Sequence, residues 1–373
     1  MSTQLLICDD SNMARKQVAR SLPDDWDVEI NFATNGQEGV EAIKAGKGDV
    51  LLLDLNMPIM DGYEVLEAIV KEDLPTLVIV ISGDIQPTAY QRVKSLGALD
   101  FIKKPVSKEK LTEILSSYGL FEAKDVVAVA ATPTPESTTS DKGNIQSKKL
   151  SESPLPAMAI APEIKTKIDD KLPELTLDNE LRDCYQEIAN VAMGRAGDLL
   201  ARLLNVFVKL PIPNVNLIEV SELSMALKAV ESNESISGIC QGFIGGGISG
   251  EALLILNDSS FQDIASLMNY REKVDERAEL ELLMDIANVL VGACLSGISE
   301  QLDMPFSQGH PVVLGQHCNI SDLVATNINK WSKTLAIEIS YGIEDYPIKC
   351  DILLLFTEKS MKTLNNKVSY MLD

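Results

Sequence analysis

Residues 49–62 read DVLLLDLNMPIMDG. The run Val50–Leu53 is short, wholly apolar and closed by Asp54, the pattern of a strand buried on both faces. Four similar runs flank it: QLLICDD (4–10), VEINFAT (28–34), TLVIVISG (76–83) and ALDFIKKP (98–105). Between the runs lie helical patterns: NMARKQVARSL (12–22), GQEGVEAIKAG (36–46), DGYEVLEAIVKED (61–73) and PTAYQRVKSLG (87–97). Five buried strands alternating with helices predict a doubly wound α/β domain over 1–120 with a five-stranded parallel sheet. Such sheets bind ligands at the carboxyl ends of their strands.

Those ends carry the chemistry. Asp9 and Asp10 end the first strand, Asp54 the third, Ser82 the fourth and Lys104 the fifth. Three converging carboxylates repel one another unless a hard cation sits between them, and Mg²⁺ prefers such oxygen ligands. Each residue alone fits a helix cap or a core position; their joint order along the strands does not.

Asp9-Asp10, the D-x-N-M-P-x-M-D-G stretch at 54–62, Ser82 and KKP at 103–105 resemble the receiver domain of CheY-type response regulators. The resemblance implies that Asp54 accepts a phosphoryl group from a histidine kinase of the CheA type. It implies that Asp9, Asp10, Asp54 and the main-chain carbonyl of Asn56 hold Mg²⁺, and that Ser82 and Lys104 read the phosphate. Phe101 occupies the aromatic switch position, where the family often has Tyr.

Beyond residue 120 the texture changes. Residues 121–175 are rich in Ala, Pro, Ser, Thr and Lys with no strand or helix period, and are expected to form a flexible linker. Residues 176–373 return to globular patterning as an α+β domain in two repeats, about 176–270 and 271–373. Each has a long helical pattern (177–205 and 279–303), prolines, then a pair of strand-like runs. GFIGGGISGE (242–251) lacks the G-K-[ST] ending of a phosphate-binding loop, and reads as a hairpin turn.

The first repeat's helix places Asp183, Glu187 and Asn190 at i, i+4 and i+7, on one face. Glu281, Asp285 and Asn288 repeat the spacing 98 residues later, both copies share I-A-N-V, and a proline follows each Asn after 22 residues (Pro213, Pro311). This resembles the CheC/CheX/FliY family of phosphatases acting on phosphorylated CheY-type receivers, and two copies resemble CheC in particular. The resemblance implies catalysis by Glu187 and Asn190, and by Asp285 and Asn288. The Asn amide would hold a water in line with the aspartyl phosphate, and the acid would pair with the receiver's lysine. The second copy departs from the pattern, with Glu281 for Asp or Ser and the shorter Asp285 for Glu, and ranks behind the first. Both Glu187 and Asn190 are expected at the surface.

Composition narrows the alternatives. With 33 Lys and Arg against 55 Asp and Glu the net charge is −22, which disfavours binding to the nucleic-acid backbone or to an anionic membrane. There is no basic helix-turn-helix, so a transcription factor is disfavoured. No apolar run reaches the roughly 20 residues of a membrane span, and MSTQLLICDD lacks a signal peptide's basic start. Six dispersed cysteines without a CxxC pair read as reduced thiols, so a cytoplasmic location is expected. Two functions remain: a phosphatase for a CheY-type receiver, in trans or its own, and a non-catalytic adaptor or phosphate sink that binds phosphorylated receivers. Phosphatase and receiver share the chain, and whether they meet within it stays open.

Overall fold

The structure, a computed structural model, describes residues 2–121, 177–219, 235–271, 273–318 and 333–372. The linker expected over 121–175 lies outside these except for Phe121. That ring is buried in the N-terminal core, edge-on to Trp26 at 6.5 Å. Residues 1–122 and 176–373 pack as one compact unit.

The N-terminal third is the parallel α/β sheet. Its strands are β1 (Thr3–Cys8), β2 (Val28–Ala33), β3 (Val50–Leu53), β4 (Leu77–Ser82) and β5 (Asp100–Lys103), in the order β2-β1-β3-β4-β5. Five helices cross over it: α1 (Asn12–Arg20), α2 (Gly36–Lys44), α3 (Gly62–Glu72), α4 (Pro87–Ser95) and α5 (Lys108–Ser117). Every residue of β3 is buried, as its unbroken apolar run requires. Two apolar clusters line the faces, one around Leu51 and Leu53, the other around Val50 and Leu52. A central strand alternates its side chains between both.

The C-terminal half repeats one plan twice, with helices on an antiparallel sheet of eight strands among the described residues. The first repeat runs α6 (Asn179–Leu204), β6 (Val208–Lys209), β7 (Asn214–Glu219), the hairpin β8 (Ile236–Gly245) and β9 (Ile248–Asn257), then α7 (Phe261–Leu267). The second runs α8 (Glu276–Gln301), β10 (Ser307–Gln308), β11 (Val312–Cys318), the hairpin β12 (Lys333–Ile343) and β13 (Lys349–Thr357), then α9 (Glu358–Leu372). The hairpin turn is Gly246-Gly247, both at positive φ, the two-residue turn that matches strand twist. Strand β11 and helix α9 escape the sequence reading. β11 is half-exposed and holds a positive-φ His317, so it carries no buried apolar run. The repeats also interlock: β7 pairs with β12 and β11 with β8, while β9 and β13 join the two hairpins at the centre.

Helices α6 and α8 cross on this sheet. A Cβ at Gly297 would lie 2.8 Å from Ala192 Cα, and Gln301 Nε2 donates to the Ile188 carbonyl at 2.9 Å. Arg195 pairs with Glu300 beside the crossing. Helix α8 is apolar enough to pass as a membrane span by composition. However, Leu282, Leu283, Ile286, Leu290 and Val291 are buried within the fold.

Candidate functional site

Each strand of the N-terminal sheet delivers its terminal residue to one edge. Asp9 follows β1, Asp54 follows β3, Ser82 ends β4 and Lys104 follows β5. Carboxylate oxygens of Asp9, Asp10 and Asp54 lie within 4.8 Å of one another. Arg15 steadies this edge by donating to the main-chain carbonyls of Asp9 at 2.6 Å and Asp10 at 3.0 Å. Asp54 Oδ2 accepts from the Asn56 N–H at 3.2 Å. Among the described residues Asp54 Oδ1 accepts no hydrogen bond, and it faces Lys104 Nζ at 3.4 Å. The Ser82 hydroxyl accepts from the Asp84 N–H at 3.1 Å. Phe101 is half-buried, edge-on to Tyr90 at 6.1 Å.

Helix α6 closes this edge from the C-terminal half. Lys104 Nζ pairs with Glu187 Oε1 at 3.2 Å as well as with Asp9 Oδ2 at 2.8 Å. Asn56 Nδ2 donates to Asn190 Oδ1 at 3.3 Å. Both carboxylate oxygens of Asp183 accept from the start of α1, from the N–H groups of Asn12 at 3.2 Å and Met13 at 2.7 Å. Those amides have no partner within their own helix, so an acid placed there answers an inherent need. Glu187 and Asn190, expected at the surface, are instead 5% and 6% exposed. They are polar because their helix faces another polar site, not solvent.

Four carboxylates, Asp9, Asp10, Asp54 and Glu187, surround one lysine. Burial raises Asp54 well above the ordinary carboxylate range, with Lys104 opposing and Asp9 and Glu187 reinforcing the rise. Burial, then Asp9, pushes Asp10 up to about 7. Burial likewise raises Glu187 against the pull of Lys104. For Lys104 burial acts the other way, but Asp54, Asp9 and Glu187 outweigh it and hold the ammonium well above its usual value. This excess of buried oxygen donors over positive charge fits a hard divalent cation among Asp9, Asp10 and Asp54.

Several residues of the contact were not legible in the motifs. Gly83 follows Ser82, and Gly194 lies one turn beyond Asn190. A Cβ at Gly194 would fall 1.9 Å from the Gly83 carbonyl oxygen, so only glycine lets the two backbones approach this closely. Gln86, fully buried, clasps the backbone of Val208 with both ends of its amide: Val208 N–H donates to Oε1 at 2.9 Å, and Nε2 donates to the carbonyl at 2.8 Å. Asp84 orients it by accepting from Gln86 N and Nε2, and is itself raised to about 6 by burial. Tyr63 meets Phe207 edge-on at 6.4 Å. Arg92 lies over the Tyr63 ring at 4.7 Å and reaches Glu344 at 3.5 Å. A cavity of about 1040 Å³ opens beside these contacts and is lined in part by Asn56, the residue that donates to Asn190.

The second motif lies elsewhere. Glu281, Asp285 and Asn288 are exposed together on α8, and the structure does not bring them to the acidic edge.

Residues 5–116 match the family model of the response regulator receiver domain. The chain is 42% identical over 113 residues to a protein-glutamate methylesterase/protein-glutamine glutaminase of Geobacter sulfurreducens, a match covering 29% of this chain and 30% of that protein. The response regulator domain of Thermotoga maritima CheB is 30% identical, covering 31% of this chain and 96% of that one, with a TM-score of 0.28. Thermotoga maritima FliY aligns with 53% of this chain over its whole length, at 19% identity and a TM-score of 0.40. The N-terminal third is thus a CheY-like receiver domain, related to that of a protein-glutamate methylesterase/protein-glutamine glutaminase and consistent with two-component signalling.

Proposed function

We propose that this protein is a receiver-linked aspartyl-phosphate phosphatase: Asp54 is phosphorylated by a histidine kinase, and α6 hydrolyses the product. The observation that carries this reading is Lys104 Nζ, shared between Asp54 at 3.4 Å and Glu187 at 3.2 Å, with Asn190 joined to Asp54 through Asn56, which donates to both. Asp9, Asp10, Asp54 and the Asn56 carbonyl would hold Mg²⁺, which supplies charge neutralisation to the phosphoryl oxygens.

The work of the protein side chains follows from the chemistry. Phosphoryl transfer to water passes through a loose transition state, so positioning and charge compensation dominate. The Asn190 amide orients a water against phosphorus. The water oxygen bonds to phosphorus as the phosphorus–Asp54 oxygen bond breaks. The water proton ends on inorganic phosphate, and the Asp54 carboxylate is regenerated. Lys104 and Ser82 compensate the phosphoryl oxygens. Glu187 holds Lys104 and so fixes α6 over the site. No nucleophile from α6 is needed.

The test is phosphate release from the full chain after phosphorylation by a small phosphodonor with Mg²⁺. Asp54→Ala should take up no label. Asn190→Ala should lengthen the lifetime of the phosphorylated chain on the order of 100-fold, the weight of one lost positioning group. An unchanged lifetime would leave α6 as an adaptor that binds the receiver without turning it over.

A further inference from the structure

The cavity of about 1040 Å³ beside the receiver contact is walled from both parts of the chain. Helix α3 supplies Glu64 and Glu67 on the receiver side, and β12 and β13 supply Glu338 and Asp351 on the other. Among the described residues, seven carboxylates and three cationic side chains line it. One of the three cations, Arg92, is already committed: its guanidinium lies 4.7 Å over the Tyr63 ring and 5.7 Å from the Phe207 ring, and pairs with Glu344 at 3.5 Å. Lys209 and Lys349 are exposed. The walls are thus net acidic on both sides, and like charges across a shared cavity repel unless a cation lies between them. The contact of Arg92 with two rings and a carboxylate displays, on the chain's own side chain, the kind of group this seam takes.

The cavity's acids do not converge on a point. Among the described residues, the group of three carboxylates close enough to share one metal ion is Asp9, Asp10 and Asp54, and none of these lines the cavity. The complementary cation is therefore an extended one, with charges spread along its length. Between the acids the wall is apolar, at Met57, Leu210, Pro211 and Ile212. Tyr63 Oη is buried at the same wall with no hydrogen-bond partner among the described residues, and a phenol oxygen can accept from an ammonium. Clefts for small ligands usually measure roughly 300–1,000 Å³, so an extended chain has room here. We infer that this cavity binds a linear aliphatic polyamine, whose ammonium groups pair with Glu67 on the receiver side and Glu338 on the sheet side while its methylenes lie against Leu210 and Ile212. Such a ligand ties the receiver to the C-terminal part of the chain. The inference goes beyond the phosphatase reading and stands without it. A nucleotide is the poorer occupant, because its phosphates carry the same charge as the walls.

The experiment titrates spermidine into the full chain by calorimetry, with Mg²⁺ present throughout so that the edge at Asp9, Asp10 and Asp54 does not compete. Ionic strength is held constant, because a chain of net charge −22 also gathers polycations non-specifically. One saturable site per chain is expected, with a rise in melting temperature as spermidine fills it. Glu67→Gln and Glu338→Gln should each weaken binding about two- to fivefold, the weight of one partly exposed charge pair, and together about tenfold. Both side chains are exposed, so the fold should survive, and the melting temperature without spermidine checks it. Glu338→Lys, which sets an ammonium of the chain's own in the cavity, should abolish the site. Glu109→Gln removes the same charge from α5, away from the cavity, and should leave binding unchanged. If no saturable site is found, or if Glu109→Gln weakens binding as much as Glu67→Gln and Glu338→Gln do, spermidine is only a counterion of an acidic chain and the proposal fails. Saturable binding of ATP that is lost in Lys209→Ala would assign the cavity to anions and overturn it as well.

Discussion

Gly194→Ala isolates the contact on which the site depends. The new Cβ would lie 1.9 Å from Gly83 O, 2.5 Å from Gly83 C and 3.1 Å from Asp84 N, all backbone atoms that cannot rotate away. Ordinary contact begins near 3.4 Å, so helix and receiver must part by about 1.5 Å. That movement takes Glu187 Oε1 from 3.2 Å to beyond 4 Å of Lys104 Nζ, and breaks the 3.3 Å bond between Asn56 and Asn190. A misplacement near 1 Å costs on the order of 100-fold in rate. The same substitution removes a helical glycine and should stabilise α6 itself by about 0.5–1 kcal/mol. Dephosphorylation should therefore slow 10- to 100-fold in a protein whose helix has become intrinsically more stable, a combination that general damage to the fold does not produce. The assay is the lifetime of phosphorylated Asp54 beside a denaturation curve, with Gly292→Ala as the control that meets no neighbour. A wild-type lifetime in Gly194→Ala would refute the seating of the receiver on α6.

Gln86→Ala should free the Val208 N–H and carbonyl from the amide that clasps both, costing about 1–3 kcal/mol. Limited proteolysis should then separate the receiver from the C-terminal half more readily, and Gln86→Glu should not rescue, since a carboxylate cannot donate to the carbonyl. Asp183→Ala removes the acceptor for the first two amides of α1, with an expected loss of about 0.5–2 kcal/mol. Faster hydrogen exchange at Asn12 and Met13 would report it. His317 bridges Asp258 at 2.8 Å and Glu279 at 3.1 Å, and the Asp258 hydrogen bond raises its pKa above the usual 6.5. Its folded value exceeds its unfolded one, so its stabilisation is complete below about pH 6.5 and is lost as pH rises through the folded value. The urea midpoint should fall across that window, and His317→Gln should flatten the fall; equal slopes would remove the role.

Much of the receiver was legible in the chain, because a strand buried on both faces leaves an uninterrupted apolar run and its last residue is placed by topology. Asp9, Asp54, Ser82 and Lys104 meet at one edge for that reason alone. The hairpin at Gly246-Gly247 was legible too, since only its turn type asks for two residues at positive φ. The helical spacing put Asp183, Glu187 and Asn190 on one face, but a polar face is the same pattern whether it meets water or another protein surface. Tertiary structure decided that α6 lies against the chain's own receiver while Glu281, Asp285 and Asn288 on α8 stay exposed. It also decided the exchange of β7 and β11 between repeats. Pairing partners and docking faces are set by which surfaces bury one another across long chain separations, and no local period records that choice.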